Sequence, residues 1–146
     1  MNVGHICTPE VVVASETETV VEVARRMRAQ RVGDVVVVSA ADERVPVGIA
    51  TDRDIVVKVV ADAPAELLER RVGEIMTRGL VTIREDEDVF RAIHAMRSEG
   101  VGRIPVVNAA GHLVGIFSHD DALAYLAGEM SQLAKLAERR QTRVGS

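Results

Sequence analysis

Aromatic residues are nearly absent from this 146-residue chain: tryptophan is missing, and Phe90, Phe117 and Tyr125 are all it has of the others. No stacking platform for single-stranded bases can be assembled from so few rings. The formal net charge of −4 points the same way, since nucleic-acid binding needs Lys and Arg massed on one face to displace counterions. Basic clusters such as ARRMR and AERRQTR fall on predicted helices and read as solvated faces. Cys7 is the only cysteine, which excludes an internal disulfide; without a spaced His or Cys partner it reads as filler in a reducing compartment. Apolar runs such as Val35 to Val38 fall far short of the ~20 residues of a membrane span, so no membrane association is expected. MNVGHICTPE has no basic segment ahead of an apolar one, and a cytoplasmic location is the expectation. There is no HExxH spacing and no GxxxxGK[ST] loop, so neither a metal site nor nucleotide hydrolysis is expected. The HDD run at 119 to 121, with His112 nearby, reads as polar residues at a helix start rather than as an acid–base set.

What the chain does have is a repeat. With 47% apolar residues it can fill the core of one domain or of two very small ones. A shift of 69 positions aligns Ile6 with Ile75, Thr8 with Thr77, Val20 with Val89, Met27 with Met96 and Gly33 with Gly102. Beyond the turn, where SAADERVPVG shortens to NAAGHLVG, the offset drops by two residues and aligns Gly48 with Gly115 and Asp54 with Asp121.

Each copy predicts the same elements. A short strand (about 11 to 13, and 80 to 83) leads to a helix whose apolar residues Val20, Val23, Ala24 and Met27 recur as Val89, Ala92, Ile93 and Met96, one buried face at helical spacing. The β-branched runs DVVVVS and RIPVVN predict strands covered on both faces, each turning into a second strand, PVGIAT or HLVGIFS. A second helix starts at Thr51 or Ser118. The fold class is therefore α/β (α+β), two β-α-β-β-α repeats sharing a core, spanning 6–62 and 75–128. Between them, 63–74 reads as a helical connector opened by Pro64. Residues 129–146 add a C-terminal helix and tail, with an apolar stripe of Met130, Leu133, Ala134 and Ala137 that has no counterpart in the first copy.

The doubled turn, GIATDRDI at 48–55 and GIFSHDDA at 115–122, carries the functional question. A hydroxyl residue followed three positions later by an acid is the pattern of a helix cap, so Thr51 with Asp54 and Ser118 with Asp121 could simply start two helices. The same groups could also hold a ligand: a helix start offers unpaired N–H groups to a phosphate, a carboxylate accepts hydrogen bonds from a ribose diol, and Gly48 and Gly115 remove the Cβ that would keep a ligand away.

Two tandem β-α-β-β-α units, each ending in G-h-x-T/S-x-x-D, resemble the paired CBS domains of the Bateman module over about residues 6 to 128, and TDRDIVVK is similar to the turn of many small stand-alone bacterial CBS-pair proteins. That resemblance implies pseudo-twofold packing of the repeats and, between them, clefts for an adenosine compound: AMP, ADP, ATP, S-adenosylmethionine or NAD. It further implies that Asp54 and Asp121 hold ribose and that Thr51 and Ser118 contact phosphate. In a chain so poor in aromatics, the adenine is expected between aliphatic side chains such as Val13, Val35, Ile83 and Ile104.

The repeats are not equivalent. Arg103 stands where the first copy has Asp34, His119 where it has Asp52, and Pro105 where it has Val36. Asp34 and Asp52 would repel a phosphate tail, offset in part by Arg53, so one site is expected to be empty or to take a less charged ligand. The overall expectation is a non-catalytic sensor with no catalytic cofactor that binds an AMP/ATP-type ligand, forms a homodimer and regulates a separate protein; a ligand-free scaffold for dimerisation or docking is the alternative.

Overall fold

The computed structural model describes residues 1–144. Two three-stranded sheets repeat one plan. In the first, Val13–Ser15 (β1) runs parallel to Asp34–Val38 (β2), which pairs antiparallel with Pro46–Thr51 (β3). In the second, Ile83–Arg84 (β4), Arg103–Val107 (β5) and Leu113–Ser118 (β6) repeat the order and the sense of pairing. Even the irregularity is copied, with register shifts at Val37/Val38 and at Val106/Val107. The central strands are covered on both faces, as their unbroken apolar runs predict: Val35 to Val38 and Ile104 to Val107 are all buried.

Pro105 leaves the register of β5 intact and shortens its neighbour. In the first sheet the Val36 amide donates to the Val12 carbonyl (3.0 Å), and pairing with β1 begins at Val13 opposite Val36. Pro105 has no amide to give, and β4 pairs only from Ile83 opposite Val106, one position later in the repeat.

Helices cover one face of each sheet. Val20–Gln30 (α2) opens with a capping box in which Thr19 and Glu22 satisfy each other's amides, and Val89–Glu99 (α5) opens on Asp88. Both end on a left-handed residue, Arg31 in the first copy (φ 56°) and Gly100 in the second (φ 66°). The short helix after β3 is not regular: Asp52–Asp54 (α3) passes into a π-helical stretch, Ile55–Val60, that buries Ile55 and Val59 and exposes Val56, Val57 and Val60. In the connector, Pro64–Glu66 forms a single 3-10 turn. The second copy's last helix and the expected separate C-terminal helix are one element, His119–Val144 (α6), whose 26 residues run through Gly128 without a break. Its first turns pack, with Ala122 buried; residues 129–143 are exposed throughout.

The repeats do not share the one core expected of them but have one each, and the two cores trade segments. Val3, in the short helix Val3–Ile6 (α1), lies in the second core with Val89, Ile104 and Phe117, while Val72, Ile75 and Met76, in or just after Val72–Ile75 (α4), lie in the first core with Val20, Val35 and Val59. Each helix thus precedes one repeat in sequence and packs on the other. Backbone bonds follow the exchange: Gly4 N donates to Glu85 O (2.9 Å) and Gly73 N to Glu16 O (3.0 Å). The chain must therefore cross between the sheets twice, at 8–12 and at 77–82, and those crossings carry the positions where the first strand of each repeat was expected to begin.

Candidate functional site

Each crossing is fastened to the last strand of the other repeat. Thr8 exchanges two backbone bonds with Ile116 (2.9 and 2.9 Å), and Thr77 exchanges two with Ile49 (2.8 and 3.3 Å). The glycines of the doubled turn permit this approach. A Cβ on Gly48 would lie 2.6 Å from Met76 Sδ and 2.9 Å from the Thr77 carbonyl oxygen; one on Gly115 would lie 2.7 Å from Cys7 Sγ and 2.9 Å from the Thr8 oxygen. What comes close to these glycines is the protein's own chain, not the open cleft.

Either side of the crossings lies a cleft built from both repeats. The larger, about 590 Å³, sets Thr51 against Arg78, Arg103 and His119, with Ile49, Leu80, Val81 and Val101 as its apolar walls. The smaller, about 210 Å³, sets Ser118 and Asp121 against Glu10, with Val11, Val12, Val36 and Ile116 as walls. Volumes of roughly 300–1,000 Å³ suit a drug-sized ligand, so only the larger reaches that range as it stands. Asp34 and Arg103 border both clefts, joined by a 2.9 Å ion pair between positions related by the repeat offset.

The turn residues do form capping boxes. Thr51 Oγ1 accepts from the Asp54 amide (3.0 Å) and Asp54 Oδ2 from the Thr51 amide (2.9 Å); Ser118 and Asp121 repeat this at 3.1 and 2.9 Å. Their second carboxylate oxygens differ. Asp54 Oδ1 is paired with Lys58 Nζ (3.2 Å), which also donates to the Ile75 carbonyl, and Asp54 lines neither cleft. Asp121 has no such lysine and borders the smaller cleft. Its charge also reaches Cys7, whose thiol is pushed up first by burial and then by Asp121.

Several expected ligand residues stand elsewhere. Val35, Ile83 and Ile104 are packed in the two cores and Val13 lies along a separate surface groove, so none of the four lines either cleft. The reason is strand alternation: Asp34 faces the clefts, its neighbour Val35 must face the helices, and Val36 returns to the cleft side. Arg53 and Asp52 do not line the clefts either; the Asp52 carboxylate accepts from the Arg53 amide (2.8 Å) and lies over Gly33. His119, next to Ser118 in the chain, lines the cleft of Thr51 and not that of Ser118, with its ring against Gly102. Arg78 and Leu80 were not singled out from the sequence, because only the crossing of the chain brings them to the cleft. No group of three or more His, Cys, Asp or Glu among the described residues is arranged to hold a metal ion.

Comparison with known proteins places this architecture. The family model for the CBS domain matches residues 3–61 and 72–128. An uncharacterized protein of Methanopyrus kandleri is 39% identical over 125 residues, covering 84% of this chain and 61% of the relative, so the chain spans less than two thirds of that protein's length. Among solved structures, a CBS domain protein from Pyrobaculum aerophilum complexed with AMP is 29% identical, with a TM-score of 0.71 over 83% of this chain and 89% of that one. A CBS domain pair in complex with 5′-methylthioadenosine and S-adenosyl-L-methionine is 26% identical, with a TM-score of 0.73 over 88% and 98%. The relatives are mostly archaeal, so the TDRDIVVK turn does not mark the chain as bacterial.

Proposed function

This chain belongs to the CBS-domain family as a tandem pair of copies, and from that premise we propose that it is a non-catalytic sensor that binds an adenosine-containing ligand between its repeats and modulates a separate partner protein. The observation that carries this is the larger cleft: an apolar slot for a base formed by Ile49, Leu80, Val81 and Val101, with Thr51, Arg78, Arg103 and His119 available to polar and anionic groups. Neighbouring CBS proteins crystallised with AMP, 5′-methylthioadenosine and S-adenosyl-L-methionine support the choice of ligand class. In this reading Arg103, a candidate from the sequence, and Arg78 meet the phosphate beside the hydroxyl of Thr51. In the smaller cleft Asp121 is the carboxylate with an oxygen left for a ribose, whereas Asp54 serves the fold.

A homodimer in the cytoplasm is the proposed working form. The exposed apolar residues Met130, Leu133 and Leu136 of α6 support a protein contact there, and they keep the scaffold reading as the competitor. Calorimetric titration of the chain with AMP, ATP, NAD, S-adenosylmethionine and 5′-methylthioadenosine separates the two. Binding at micromolar to sub-millimolar concentration supports the sensor; no heat with any of them at millimolar concentration, with the dimer intact, leaves the scaffold.

A further inference from the structure

We propose that the two clefts take ligands of different charge and are coupled through the Arg103–Asp34 pair: the larger cleft takes an adenosine compound with an anionic 5′ group, and the smaller takes one that is uncharged or cationic there. This rests on the adenosine reading above and adds the chemistry that divides the sites. Charged residues around the larger cleft balance, Arg78 and Arg103 against Asp34 and Glu99, with His119 in addition. Around the smaller they do not, since Glu10, Asp34 and Asp121 face a single arginine, Arg103. The smaller cleft, about 210 Å³ against about 590 Å³, also leaves less room for a phosphate group.

The coupling follows from one shared cation. Arg103 Nη1 lies 2.9 Å from Asp34 Oδ1, and both residues border both clefts. The guanidinium is half-exposed and, among the described residues, is tied to this carboxylate alone, so an anion in the larger cleft competes with Asp34 for it. When the anion wins, Asp34 is left as a third uncompensated acid beside Glu10 and Asp121. A second anion is then opposed in the smaller cleft, while an uncharged or cationic ligand is not. The division reverses the expectation drawn from Asp34 and Asp52, which put the unfavourable site in the first copy: because the chain crosses over, the acids collect around Ser118 and the cations around Thr51.

The test is calorimetry on the full chain with AMP and with 5′-methylthioadenosine, which differ at the 5′ group. AMP is expected to saturate at one molecule per chain, and 5′-methylthioadenosine to give a further binding event on the AMP-saturated protein. Asp34→Asn is expected to admit a second AMP, or to strengthen its binding at least tenfold. Arg103→Met is expected to weaken the first AMP at least tenfold, and by a larger factor than it changes 5′-methylthioadenosine. Melting curves check that both variants fold, and the competition on the unaltered chain needs neither. Two AMP molecules binding with equal affinity, or 5′-methylthioadenosine failing to bind beside AMP, overturns the division of ligands while leaving the adenosine reading in place. Binding of neither compound at millimolar concentration overturns both.

Discussion

Gly48 lies directly beneath Met76, so close that a methyl group in place of its hydrogen would sit 2.6 Å from the Met76 sulfur and 2.9 Å from the Thr77 carbonyl oxygen. Gly115 stands in the same relation to Cys7 and Thr8. The side chains can move aside, but the carbonyls are fixed by their bonds across the crossing. Gly48→Ala and Gly115→Ala should therefore each destabilise the chain by about 1–3 kcal/mol. Gly128, inside α6 with open space around it, is the control: Gly128→Ala should stabilise by about 0.5–1 kcal/mol through helix propensity alone. Thermal melts of the three variants decide, and equal effects at Gly48 and Gly128 would remove the crossing as the reason for the glycine.

The internal repeat supplies its own experiment at the helix ends. Arg31 and Gly100 occupy equivalent positions in left-handed conformation, and only Gly100 does so without a Cβ penalty. Arg31→Gly should raise stability by about 0.5–1 kcal/mol, read as a higher denaturation midpoint with an unchanged slope. A fall in the midpoint would mean that the Arg31 side chain contributes more than its backbone conformation costs.

Most of the architecture was legible because the repeat repeats physics as well as letters. The helical spacing of Val20, Val23 and Met27 returned as Val89, Ala92 and Met96, all buried, and the unbroken β-branched runs became covered central strands. The site was less legible. Thr51, Ser118, Asp121, Arg103 and His119 do border the clefts, but Arg78 and Leu80 reach the larger one only because residues 77–82 cross between sheets, and no local pattern encodes a crossing. Val35 shows why the sandwich residues were misplaced: with Asp34 on the cleft side of the strand, alternation puts Val36, not Val35, beside it.

The two turn aspartates should now behave differently. Both caps cost stability when lost, about 0.5–2 kcal/mol, so Asp54→Ala and Asp121→Ala should each lower the melting temperature. Only Asp121→Ala should also weaken an adenosine ligand in the smaller cleft, by roughly tenfold to a hundredfold, for a charged hydrogen bond of about 1.5–3 kcal/mol. Titration of both variants with 5′-methylthioadenosine separates the roles. If neither changes affinity, both aspartates are helix-start residues and nothing more.

Acid sensitivity should trace in part to Glu18. Arg26 binds it through both guanidinium nitrogens and so holds its carboxyl below the ordinary glutamate value, helped by the Ser15 amide at 2.7 Å. A depressed carboxyl contributes stability that is complete above its unfolded value near 4.5 and is lost as the pH falls through the lower folded value. Glu18→Gln should thus cost about 0.5–1 kcal/mol at pH 7, a figure kept small because the pair is partly exposed. The gap between the two proteins should close on acidification below pH 4. Parallel stability curves from pH 7 to pH 3 would count against the ion pair.

The last prediction concerns association. Beyond Gly128, α6 exposes Met130, Leu133 and Leu136, and the π-helical stretch exposes Val56, Val57 and Val60, so the helices that follow β3 and β6 carry two exposed apolar groups, with Leu68 and Phe90 exposed elsewhere. A symmetric pair of chains covers such surfaces most simply, because each copy presents the same set to the other. Residues 129–143 are exposed throughout and belong to neither core, so they can be removed without opening either core. Deleting residues 129–146 should weaken self-association at least tenfold in sedimentation experiments and leave nucleotide titration unchanged, since no residue lining either cleft lies beyond Asp121. An intact chain that sediments as a monomer at tens of micromolar would end the dimer proposal. Undiminished association after the deletion would instead assign the contact to Val56, Val57 and Val60, where Val57→Asp would be the next variant to sediment.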